Sequence, residues 1–117
     1  MADSKQYESP ICRDITVVIA DGATVSSVAS LQGTSLVAID IPAGFEGTAM
    51  TFQVSSDNVT YYAYKRMFDG VDVAAVVGAN AAYAADSGDF AGYSFIKLVA
   101  GTAQTGAIEI TLKTRPL

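Results

Sequence analysis

TFQVSSDNVTYYAYK, residues 51–65, reads as two strands joined by a tight polar turn. Phe52 and Val54 fall on one face and Thr51, Gln53 and Ser55 on the other, the period of two that marks a strand buried on one side. Ser56, Asp57 and Asn58 supply the turn, because Asp and Asn tolerate positive φ and hydrogen-bond their own backbone. The β-prone run Val59-Thr60-Tyr61-Tyr62 then leads back. A hairpin at the centre of the chain makes the fold class all-β, and it specifies no chemistry.

Working outward, the same alternation recurs. In DITVVIA, residues 14–20, Ile15, Val17 and Ile19 share a face, and Asp21-Gly22 ends the run as a turn. The Ser-rich stretch at 23–35 holds too few large apolar residues for a central strand and fits an edge strand or loop. LVAIDIP, residues 36–42, places Val37, Ile39 and Ile41 together with Asp40 opposite, and Pro42 ends the pairing because it has no N–H. Beyond the hairpin, Phe68-Asp69-Gly70 reads as a turn, and VDVAAVVG as a strand with Val73, Ala75 and Val77 on one side. Residues 79–86, ANAAYAAD, are helix-prone in composition but too short for a helix without strong packing, so a short strand is expected. YSFIKLV at 93–99 aligns Ile96 and Leu98, and AIEITLK at 107–113 aligns Ile108, Ile110 and Leu112. Short strands at this spacing predict an antiparallel β-sandwich, jelly-roll-like, as a single domain over 14–117 behind an arm at 1–13.

Composition narrows the chemistry. A chain of 117 residues buries roughly two-thirds of its unfolded surface, enough for a two-layer core with little left for a cleft and lid. Half of the residues are apolar and 16% are charged, a surplus that points to an interface or to Ala tolerated on the surface. The net charge of −5 and the scattering of seven basic residues argue against nucleic acid, whose phosphates need Lys and Arg on one face. No apolar run approaches the length of a membrane span, and MADSKQYESP lacks a secretory pattern, so a cytoplasmic origin and no membrane partner are expected. One cysteine, Cys12, excludes an intrachain disulfide and reads as a small half-buried thiol.

The absence of histidine excludes Ser-His-Asp and Cys-His catalysis, and with one cysteine it excludes a His/Cys zinc site. No glycine-rich phosphate cradle is present. Asp69, Asp72, Asp86 and Asp89 are the carboxylates available for paired acid chemistry or calcium, and turn formation accounts for them more simply. The expectation is a chain with no catalytic residues, no metal and no cofactor. Asn58-Val59-Thr60 matches a glycosylation sequon but reads as a turn. Tyr61, Tyr62 and Tyr64 crowd one strand, and alternation sends Tyr62 and Tyr64 to the same face as core residues with hydroxyls at the rim. Tyr61, Lys65 and Arg66 are then the residues available to face a sugar. Residues 1–11 are polar and without periodicity, an arm either disordered or docked on a neighbour through Tyr7, Pro10 and Ile11.

ITVVIADGATVSSVASLQGTSLVAIDIPAGFEGTAMTFQVSSDNVTYY, followed by DFAGYSFIKLVAGTA and a closing ITLKTRPL, resembles small tailed-phage virion proteins of the β-sandwich head-decoration or cement type. The pairing of FQVSSDNVTYY with FAGYSFIKL is the most specific part. The same two pieces are similar to discoidin-like carbohydrate-binding jelly rolls, although the chain lacks Trp, His and a clear sugar-contacting loop. The resemblance implies a structural virion protein, made in the host cytoplasm. It would bind the major capsid protein at the capsid surface and act as a homo-oligomer. The alternative it leaves is a carbohydrate-binding module on a virion surface or tail.

Overall fold

The computed structural model describes residues 13–85 and 88–116. Its strands are β1 (Arg13–Ile19), β2 (Ala29–Ser30), β3 (Thr34–Ile41), β4 (Ala49–Ser55), β5 (Tyr62–Ala63), β6 (Ala74–Val76), β7 (Ala81–Ala84), β8 (Phe95–Ala100) and β9 (Ile108–Pro116). They build two antiparallel sheets, one ordered β1-β9-β3-β7 and the other β2-β8-β4-β5, with β6 also paired to β4. β1 to β4 alternate between the sheets, and so do β6 to β9, which is the jelly-roll plan. The expected all-β sandwich is therefore the fold.

The core follows from the period of two. Val17, Ile19, Met50, Phe52, Val54, Ile96, Leu98, Ile108, Ile110 and Leu112 all point between the sheets and are buried. The register matches apolar with apolar across strands: Ile15 faces Leu112, Val17 faces Ile110 and Ile19 faces Ile108. Full burial of such a side chain contributes about 1.5–3 kcal/mol, against about 0–1 kcal/mol for an exposed ion pair. The sheet-to-sheet core, and not surface pairs such as Lys113 with Asp14 at 3.1 Å, holds the layers together. The Ala-rich 81–84 segment is a strand, as expected, with Tyr83 opposite Ile39 and its hydroxyl accepting a hydrogen bond from the Gly78 N–H at 2.8 Å.

Three local expectations are corrected. In β3 the register with β9 slips between Leu36 and Ala38, a bulge that turns Leu36 into the core and leaves Val37 half-buried. The inward set is thus Leu36, Ile39 and Ile41. In the central hairpin only Tyr62–Ala63 pairs back on β4, Tyr62 facing Val54 and Ala63 facing Gln53. Val59 and Thr60 stay in the loop because one carboxylate oxygen of Asp57 accepts both of their N–H groups, at 2.9 and 3.0 Å. Asn58 adopts φ 61°, the positive value its side chain tolerates. Tyr62 is 66% exposed and not a core residue. It sits at the sheet edge, on a two-residue strand.

At one end of the sandwich, loops from three parts of the chain are joined by a buried amide. Gln104 Nε2 donates to the carbonyls of Glu46 at 2.8 Å and Thr102 at 2.9 Å, while its Oε1 accepts from the Glu46 N–H at 2.9 Å. Its own backbone bonds to Ala23 and Gly22. Gly47, at φ +105°, lies against the same bend, where a Cβ would come 3.0 Å from Thr102 Oγ1.

Candidate functional site

Between β5 and β6 the chain leaves the sheet as a braced finger, residues 64–73. Its base is set by the Tyr64 N–H bonding to Phe52 O at 3.0 Å and the Val73 N–H bonding to Tyr64 O at 2.8 Å. Higher up, Lys65 and Asp72 face each other as a β-bridge, with Lys65 Nζ 2.7 Å from Asp72 Oδ1. The Arg66 N–H then bonds to Val71 O, and the Gly70 N–H bonds back to Arg66 O, both at 2.8 Å. Gly70 takes φ +69°, which closes the tip at little steric cost. The Arg66 guanidinium grips Asp69 with two nitrogens, at 3.0 and 3.3 Å.

What the brace presents is apolar. Met67 is 100% exposed and Phe68 83% exposed, with Val71 half-exposed below them. The Arg66 guanidinium lies 5.3 Å from the centre of the Phe68 ring, an arrangement that orients the ring. A recess of about 440 Å³ runs along the finger's side, lined by Tyr64, Lys65, Arg66, Phe68, Asp89 and Tyr93 among others. Its floor is rigid: Tyr64 packs on Phe90 and Tyr93 with ring centres 5.3 and 5.4 Å apart, and its hydroxyl donates to the Asp89 carbonyl. Burial first, then the neighbouring Tyr93 and Asp89, raises the Tyr64 pKa, so the hydroxyl stays protonated.

The Asp69 carboxylate is held below its ordinary value of 3.8, chiefly by the Val71 N–H and then by Arg66. A lowered folded pKa means that the bond network contributes above the ordinary value and is lost as pH falls through the lowered one. Acidification should therefore loosen the tip only as pH falls below the ordinary carboxylate value. An NMR titration following Asp69 and the Met67 and Phe68 amides should show them moving together below pH 3.8. Independent titration would mean that Asp69 does not hold the tip.

The sequence-level candidates are dispersed. Tyr61 lies against Lys97, whose ammonium is 4.2 Å from the ring centre, and its hydroxyl donates to Asn58 Oδ1. It does not line the recess that Lys65 and Arg66 line. The sugar-facing candidates are thus divided: Lys65 and Arg66 line the recess together, and Tyr61 packs against Lys97. Asp69 and Asp72 are engaged by Arg66 and Lys65, and among the described residues no group of three or more Asp, Glu, Cys or His side chains is placed to hold a metal. Tyr7, Pro10, Ile11, Cys12 and Asp86 lie outside the described residues. Sequence reasoning read Phe68 only as part of a turn and passed over Met67. The available signal was two large apolar residues placed directly before an Asp-Gly turn, where polar residues are usual.

No protein-family model, curated protein or solved structure matches the chain.

Proposed function

We propose that the protein is a structural component of a phage virion that binds the outer surface of the capsid and stabilises it. The observation that carries the adhesive part of this reading is the finger, which spends two ion pairs and a positive-φ glycine on holding Met67 and Phe68 in solvent. Exposed apolar side chains on a braced loop cost solubility and add nothing to the fold, so a contact is the physical reason to keep them. The virion setting rests on the sequence resemblance, as do the major capsid protein as partner and the docking role of Tyr7, Pro10 and Ile11. A small module that binds the assembled shell and not its separated subunits stabilises the shell by mass action.

The recess favours a second reading, a carbohydrate site, because it combines Tyr64, Tyr93 and Phe68 rings with Lys65, Arg66 and Asp89. One pair of measurements separates the two. Added to capsids that lack it, the purified protein should co-sediment with them and raise the temperature at which they open. Glycan-array binding lost in Tyr93→Ala, without any retention on capsids, would replace the structural reading with the carbohydrate one.

A further inference from the structure

The tip of the finger carries a chemically labile step. Asp69-Gly70 is one of two Asp-Gly sequences in the chain, the other being Asp21-Gly22. In such a pair the Gly nitrogen can attack the side-chain carbonyl carbon of Asp, because Gly has no Cβ to obstruct the approach and its backbone turns freely. A C–N bond forms, the nitrogen gives up its proton, and the carboxyl oxygen leaves with it as water, so the product is a cyclic succinimide. Water then opens the ring on either side. One opening regenerates Asp, and the other leaves isoaspartate, whose main chain runs through Cβ and is longer by a methylene group. The first step needs a Gly N–H free to turn toward the side chain, and it needs a protonated carboxyl, since a carboxylate has no good leaving group.

The folded finger withholds both. The Gly70 N–H donates to the Arg66 carbonyl at 2.8 Å, with Gly70 fixed at φ +69°. The Asp69 carboxylate is engaged on both oxygens: Oδ1 accepts from the Val71 N–H at 3.0 Å and from Arg66 Nε at 3.3 Å, and Oδ2 accepts from Arg66 Nη2 at 3.0 Å. The same bonds hold the carboxyl ionised, its pKa lying below the ordinary value. Arg66 therefore acts on both reacting groups, its carbonyl on the nitrogen and its guanidinium on the carboxylate. From this convergence we infer that Arg66 protects the finger tip against succinimide and isoaspartate formation at Asp69-Gly70. The protection does not depend on what the tip contacts, because it concerns the turn that carries Met67 and Phe68. An isoaspartate there would lengthen the turn closed by the Gly70-to-Arg66 bond and displace the Phe68 ring from its place 5.3 Å from the guanidinium. Asp21-Gly22 serves as a reference within the same chain. Its Gly22 N–H donates to Gln104 O at 2.7 Å and its Asp21 Oδ1 accepts from the Gly106 N–H at 2.9 Å, bonds that do not involve Arg66.

Ageing the full-length chain near neutral pH, with isoaspartate located by peptide mass spectrometry, tests this directly. In denaturant the two Asp-Gly steps should isomerise at similar rates, and folding should slow both roughly tenfold or more, since the hydrogen bonds that must open add to the barrier. Arg66→Ala frees the carboxylate and should speed isomerisation at Asp69-Gly70 about fivefold or more over the folded wild type, leaving Asp21-Gly22 as slow as before. Arg66→Lys keeps a cation without the two-nitrogen grip and should fall between them. Melting of each variant is measured alongside, and the rate at Asp21-Gly22 reports whether the domain as a whole has loosened. A folded wild-type chain that isomerises at Asp69-Gly70 as fast as the denatured one overturns the inference, as does an Arg66→Ala chain that ages at the wild-type rate. An equal acceleration at Asp21-Gly22 in Arg66→Ala also overturns it, because general loosening and not the loss of the Arg66 grip would then be the cause.

Discussion

Gln104→Ala should lower the stability of the domain by about 2–3 kcal/mol and the melting temperature by roughly 10 °C. The side chain is 2% exposed and makes three hydrogen bonds, so its removal leaves the N–H and C=O of Glu46 and the C=O of Thr102 without the amide that served them. A buried polar group stripped of its partner costs about 1–3 kcal/mol, and partial access of water to the outer loop limits the sum. Gln104→Met separates the contributions because it keeps the volume and removes the hydrogen bonds. Most of the loss should persist in Met if hydrogen bonding dominates. Calorimetry showing Gln104→Met as stable as wild type would reduce Gln104 to a space filler.

Neither Gln104 nor the finger was legible in the sequence, whereas most of the sandwich was, and the difference is physical. A strand buried on one face writes its burial into every second residue, so Val17 and Ile19, Ile96 and Leu98, and Ile108 to Leu112 declare their direction locally. A bulge breaks that rule without leaving a mark in residue type, which is why Leu36 exchanged places with Val37. The loop after Ser55 lengthened because the Asp57 side chain took backbone N–H groups that strand pairing would have used. Its carboxylate is lowered in pKa by those same bonds, those of Thr60 and Val59 foremost. Gln104 draws its meaning from Glu46, 58 residues away, and a polar residue in a polar loop gives no hint of such a partner. In the finger, the turn at Asp69-Gly70 was visible, but its brace depends on Lys65 meeting Asp72 and Arg66 meeting Asp69, which only the folded hairpin decides.

On the proposed capsid-binding reading, replacing both tip residues, Met67→Ser with Phe68→Ser, should abolish most retention on capsids while leaving the fold intact. Because both side chains are exposed, the melting temperature should change by no more than the equivalent of about 0.5 kcal/mol. Binding should respond far more strongly, since an apolar anchor buried at the centre of a contact is worth about 2 kcal/mol or more, roughly a 30-fold weakening. Stability and binding thus move independently, which a general folding defect would not produce. Retention of the tip variant at wild-type strength, measured by co-sedimentation across a protein titration, would remove the finger from the attachment surface altogether.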